Sequence, residues 1–393
     1  MKYWRGYIVA ALCAALTLAL MAFSKSHGAL VDMIYPYASR LIQTSLADWT
    51  AGVEFCLWQL VVVVLGVMAL ASIVVMIALR WNFFQWMGWV LATCSFLYMF
   101  HTGIYGLNSY AGPLADDIRL ELADFTTTEL ADATRYYMQQ ADALSSQVPR
   151  NEDGTPNYPT FEELAAMAHE GFDDLTHHQY FAVFSGSSQP VKKLGWADLY
   201  TSMGITGVTM PLTGEAAVNP QTPVVAQPFV MCHEMCHRTC IALERDANLG
   251  AYLACISHSD PIYQYSGYYM AFRYCYNALV SVGTTAARAA ANQIYSEMGQ
   301  LMRQDLQYYN DFFNQHRNET ASNIANTAND HYIKASGDDA GVTSYDQVSD
   351  LLVSWYIQEI YLPAHQEEVD RFDPMDRTDV DLSENPTQPT EVP

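Results

Sequence analysis

Positive charge is scarce in this sequence. Its 393 residues include 19 Lys and Arg against 42 Asp and Glu, a formal net charge of −23. Charged residues of both signs make up only 16% of the chain, against roughly 25% in an average soluble domain. The shortage is uneven. Residues 1–105 carry five basic residues (Lys2, Arg5, Lys25, Arg40, Arg80) and three acidic ones (Asp32, Asp48, Glu54), which leaves 14 basic and 39 acidic residues beyond. A part this acidic repels nucleic acid and anionic lipid surfaces and argues against both as partners. No internal repeat is present. A disulfide framework cannot be read either. Five cysteines lie beyond residue 105 (Cys232, Cys236, Cys240, Cys255, Cys275), an odd number, and a bridge such as Cys240 to Cys255 is allowed but not fixed by spacing.

What the chain has instead is three long apolar runs. GYIVAALCAALTLALMAF spans 6–23, a charge-free stretch spans 55–79, and an aromatic-flanked one covers about 82–107. The latter two exceed the ~20 residues needed to cross a bilayer, with Trp and Tyr near the ends of the third as headgroup anchors. The first is long for a signal peptide, although Ala22-Phe23-Ser24 faintly resembles a cleavage site, and reads as an uncleaved anchor. Lys2, Arg5 and Arg80 sit in short segments without acids, which puts those segments in the cytoplasm. Three crossings then place everything after about residue 108 outside it. The expected organisation is a membrane domain at 1–107, an extracytoplasmic domain at 108–362, and a disordered, acidic, Pro-rich tail at 363–393.

The extracytoplasmic part is expected to be mainly α. Apolar residues at helical spacing occupy 113–146, and a helix starting after Thr160 has Glu163 in place for a capping box. GITGVTMPLTGEAAVNP, 204–220, reads as short strands between turn glycines. Further helical patterns run over 228–256, 265–325 and 344–362.

Residues 228–255 carry the chemistry: PFVMCHEMCHRTCIALERDANLGAYLAC. His233 and His237, four apart on a helix, can turn both imidazoles to one Zn²⁺ ion, and Glu234 between them can take a proton from a water on that ion. A catalytic zinc needs a third protein ligand and an open position. Glu244 lies eleven residues after His233, about 16 Å along an unbroken helix. To serve, the helix must end between Arg238 and Leu243 and a second one must fold back. No glycine stands in that interval to make the turn. Cys232-x-x-x-Cys236-His237 is one residue too long for haem attachment, and the cysteine stripe, about 100° from the histidines, reads as buried packing. Charged residues directly after the motif argue against an intramembrane protease.

Glu-Arg-Asp-Ala-Asn at 244–248 resembles the E-x-x-A-[D/N] signature of glutamate-type zinc peptidases. That resemblance implies Glu244 as third ligand and Asn248 as its support, with Asp246 the nearest alternative carboxylate. YGLN with a nearby PL (105–114), MPLTGEAAVN (210–219), PFVMCHEMCH, ERDAN, YSGY (265–268) and GVTSYDQVSDLL (341–352) together resemble a bacterial membrane-protein family filed as domain of unknown function 3810. The resemblance covers about Tyr105 to Tyr356 and implies three N-terminal crossings followed by a zincin-like, gluzincin-type domain. This chain departs from it in Cys236, where a small residue is usual, in Asp246, where Glu is usual, and in lacking a glycine after the second histidine. Weaker candidates are Tyr265 and Tyr268 as oxyanion donors, and Glu215 and Asn219 as substrate contacts on the strands.

The expectation is therefore a membrane metallopeptidase that hydrolyses a peptide or protein substrate. The competing reading is a non-catalytic membrane protein whose zinc only braces an interaction domain. Oligomeric state is not legible.

Overall fold

The computed structural model describes residues 4–177, 181–335 and 347–365. The chain opens with α1 (Arg5–Ser26), α2 (Gly28–Thr50), α3 (Leu57–Ala78) and α4 (Phe83–Ile104). Helices α1, α3 and α4 are long and apolar enough to cross a membrane, and their bounds follow the three apolar runs to within a few residues. Helix α1 packs along α4. Helix α3 stands apart, with only Trp58 and Gln59 buried.

Helix α2 answers to no feature read from the sequence. Its buried positions are Val31, Ser39, Arg40, Gln43, Ala47 and Thr50, a mostly polar face that no hydrophobic periodicity can reveal. These groups are buried because they bond to the rest of the protein. Arg40 Nε donates to the Thr239 carbonyl at 3.0 Å, and Gln43 Nε2 donates to the Pro211 carbonyl at 3.1 Å.

Beyond α4 come α5 (Leu114–Asp117), α6 (Thr127–Ser145), α7 (Phe161–Met167), α8 (Glu170–His177) and α9 (Ala197–Met203). Thr160 and Glu163 form the expected capping box at α7, and Thr126 with Glu129 forms another at α6. A three-stranded sheet has the order β1-β3-β2, from β1 (Lys192–Lys193), β2 (Gly207–Met210) and β3 (Glu215–Val218). Strands β2 and β3 are antiparallel, with Thr209 opposite Ala216, and both fall within the predicted 204–220. The two-residue β1 pairs parallel to β3; it is too short to leave a pattern.

The longer helices that follow are α10 (Gln227–Arg238), α11 (Glu244–Ser257), α12 (Pro261–Ser281), α13 (Thr285–Glu297), α14 (Gln300–His316), α15 (Glu319–Ala335) and α16 (Val348–Tyr356). Helices α10, α11 and α12 form the centre of the core, with α6 packed along α12. Cys232, Cys236, Cys255 and Cys275 are fully buried there as packing groups, and all eight cysteines are free. The allowed Cys240 to Cys255 bridge is therefore not formed. Of the acidic tail, only 363–365 fall within the described residues.

Candidate metal centre

The site depends on the chain reversing after α10. The last helical residue is Arg238 and Thr239 is the cap. Cys240 then takes φ +75°, the left-handed region that normally calls for glycine. Cys240 N–H donates to the His237 carbonyl at 3.0 Å and Ile241 N–H to the Cys236 carbonyl at 3.1 Å, the paired bonds of a Schellman ending. The cysteine is held from outside. Cys240 Sγ lies 3.2 Å from Ser39 Oγ of α2, and Ser39 is in turn bonded to Asn108 and the Ile104 carbonyl. Tyr105 donates its hydroxyl to the His237 carbonyl at 3.0 Å. On the far side, α11 comes back closely because residue 250 is glycine: a Cβ there would lie 2.7 Å from Cys236 Sγ.

The reversal brings three donor atoms together. His233 Nε2 and His237 Nε2 are 3.1 Å apart, and Glu244 Oε2 stands 3.3 and 3.4 Å from them. Four ligands at the 2.0–2.1 Å typical of zinc would form a tetrahedron with edges of about 3.3 Å. The three observed separations fit one face of it. His237 Nδ1 lies 2.9 Å from the Ile241 carbonyl, which assigns the proton to Nδ1 and the free lone pair to Nε2. Glu244 Oε2 meets no donor other than the two imidazole Nε2 atoms. Two nitrogens and one carboxylate oxygen are a zinc donor set, so the residues fit that ion. Among the described residues no fourth His, Cys, Asp or Glu joins the group. The three side chains are 12 to 14% exposed.

Charge at the site follows from this arrangement. Burial works against protonation of His237, but the Glu244 carboxylate more than reverses it and lifts the imidazole to about 9. Burial likewise opposes ionisation of Glu244, yet the two imidazoles hold it well below the usual carboxylate range. Glu234 is the opposite case: burial dominates and raises it. Its Oε2 accepts from Thr209 Oγ1 of β2 at 2.7 Å. A Cβ at position 207 would come within 2.2 Å of Glu234 Oε1, so glycine on β2 is what lets the carboxylate lie against the strand.

The other candidates are distributed differently from the sequence expectation. Asn248 is buried on α11 and accepts from Tyr274 at 3.1 Å. Asp246 accepts from Leu114 N–H at 3.0 Å and so fastens α11 to the segment after the apolar helices. Tyr265 is a correction: its hydroxyl donates to Asp305 at 2.6 Å inside a buried pair with Arg150. Tyr268 packs against Tyr136 and Tyr252. Both are core residues, because on α12 their face turns to α6, α14 and α11. Tyr274, at another position on the same helix, is the tyrosine sequence reasoning missed: it donates to Asn248, and burial raises its hydroxyl. Glu215 is a second correction. Its two oxygens accept from the N–H groups of Leu57 and Trp58, and Lys192 pairs with it at 2.7 Å. It caps α3. Asn219 is a turn residue, bonded to Thr201, Ile205 and Gln221.

Fold and cluster define a class: a mainly helical protein with three apolar N-terminal helices and a buried His-His-Glu group. The chain belongs to the family described as "Protein of unknown function (DUF3810)", which matches residues 31–353. No curated protein and no solved structure matches it.

Proposed function

We propose that this protein is a membrane-anchored, zinc-dependent, zincin-like metallopeptidase, with His233, His237 and Glu244 as ligands and Glu234 as general base. The observation that carries the reading is the triangle of donor atoms at zinc-like separations with a buried glutamate beside it. Zinc, when bound, polarises a peptide carbonyl and acidifies a water. The chain's own part is proton handling. Burial raises Glu234 toward the range where a carboxylate exchanges protons readily. Thr209 fixes one of its oxygens, leaving Oε1 to take the proton of the attacking water and pass it to the leaving amine. Strand β2 stands at the end of the sheet order beside Glu234, which suits an extended peptide laid along its edge.

The catalytic domain is assigned to the outside of the cytoplasm, on the charge asymmetry of the short N-terminal segments. In support, α2 follows α1, Glu215 caps the start of α3, and Tyr105 follows α4, and all three contact the one domain. Those three helix ends thus share a side. A membrane-impermeant thiol reagent applied to intact cells is expected to label a cysteine placed at Glu152 and not one placed at Trp81; the reverse pattern overturns the assignment.

The enzyme reading is tested on the purified full chain. Wild type is expected to hold one zinc, lost in His233→Ala. Glu234→Gln is expected to keep zinc while turnover of a peptide substrate drops by about 10²–10⁴. Peptidase activity surviving that change, or zinc-loaded wild type with no activity, sinks the proposal; the latter leaves zinc as a brace for an interaction domain.

A further inference from the structure

Two adjoining hollows flank the point where α3 meets the domain. One, of about 480 Å³, is bounded by the end of α2, α7, β1, β3 and Arg238. The other, of about 390 Å³, runs along Leu60 and Val63 of α3 beside Leu194 and Trp196. They share Glu54 and Lys193.

Most charges around them are already matched. Lys192 pairs with Glu215 and also donates to the Thr50 and Phe55 carbonyls, and Lys193 pairs with Glu162. Two are not. Arg238 is 3% exposed, and one of its nitrogens donates to the carbonyls of Ser187 and Gln189. Its Nε has no hydrogen-bond partner; the carboxylate whose charge acts on it, Asp48, is bonded to Ser187 and forms no ion pair with it among the described residues. A buried guanidinium with an unused N–H and no ion-pair partner is costly and suits a phosphate, which can accept from that group. Glu54, exposed on the shared rim, likewise has no ion-pair partner among the described residues.

We propose that this junction binds one zwitterionic aminophospholipid. Its phosphate meets Arg238, its primary ammonium meets Glu54, and an acyl chain lies in the groove against Leu60 and Val63. The apolar groove is continuous with the exposed flank of a helix apolar enough to be in lipid, which selects a lipid over a soluble phosphate. Trp196, 51% exposed at the mouth, is the residue type that settles at the headgroup level. The unmatched acid on the rim selects an amine-bearing headgroup, and the acidic domain disfavours anionic ones. This inference rests on α3 lying in the membrane and not on the zinc chemistry.

The test is native mass spectrometry of the full chain in mild detergent, titrated separately with ethanolamine-type, choline-type and glycerol-type phospholipids of equal chain length, and with inorganic phosphate. Wild type is expected to retain one ethanolamine-type lipid at least about tenfold better than the choline-type, the worth of one charge-assisted hydrogen bond. Glu54→Gln is expected to erase that preference and Arg238→Gln to lower retention of every phospholipid. Because Arg238 also braces residues 187–189, Leu60→Trp, which fills the groove from an exposed position, serves as the second blocking variant. Equal retention of the three lipids by wild type, an unchanged preference in Glu54→Gln, undiminished retention in Leu60→Trp, or binding of inorganic phosphate at the same occupancy overturns the proposal.

Discussion

Cys240 carries the reversal that brings His233, His237 and Glu244 together, and it does so in a conformation that costs a residue with a Cβ roughly 1–2 kcal/mol. The cost is met by the contact with Ser39 and by burial to 6% exposure. Substitutions should therefore rank in an unusual order. Cys240→Gly removes the strain and the contact together, about equal in size, and is expected to melt within a degree or two of wild type. Cys240→Ala keeps the strain and loses the contact, a loss of about 1 kcal/mol, and Cys240→Val adds β-branching in a region it disfavours. Thermal melts and zinc content of the three variants check the order; Val melting above Gly would refute the strain argument. The glycine missing from the sequence is thus replaced by a cysteine and its neighbour, a trade visible only where α2 lies against the turn.

At the scale of elements, α2 is the piece that joins the apolar helices to the site. Arg40 reaches from it to the carbonyls of Thr239 and Ala182 at 3.0 and 2.9 Å, and burial lowers the pKa of its guanidinium. Removing this buried, charged donor leaves the Thr239 carbonyl without a partner, at about 1–3 kcal/mol before relaxation, while the Ala182 carbonyl still accepts from Ser185. Arg40→Ala is expected to lower stability by about 2–3 kcal/mol in denaturant titrations and to weaken zinc retention against a chelator, although Arg40 touches no ligand. Unchanged retention would show that the turn holds itself. Helices α7, α10 and α11 were legible because their signals are local: a capping box, a His pair at four-residue spacing, a Glu-x-x-Ala-Asn start. Helix α2 was not, since its buried face is polar and acquires meaning only from acceptors about 140 to 200 residues away in the chain.

For the whole molecule, the tie between the membrane-type helices and the sheet is Glu215. Its carboxylate accepts the first free N–H groups of α3 and neutralises Lys192, whose side chain is 11% exposed. A glutamate at a helix N-terminus also gains from the helix dipole. Glu215→Ala would leave a nearly buried lysine unpaired, a change that typically costs about 3–5 kcal/mol. The expected result is a large fall in melting temperature for the full chain, with zinc still bound in whatever folds. A melt within two degrees of wild type would contradict the assignment of Glu215 as an anchor.

The sequence by itself determined the three apolar helices, the His-Glu-x-x-His spacing, the strands at 204–220 and the requirement that α10 stop before Glu244, since hydropathy and helical pitch are properties of short stretches. Only the tertiary structure decided which glutamate caps α3, which tyrosine stands by Asn248, and what stabilises the reversal at Cys240. Glu215, Tyr265 and Tyr274 each have neighbours that would suit several roles. Their choice rests on partners brought close by packing, and a buried polar group takes whichever partner the packing supplies.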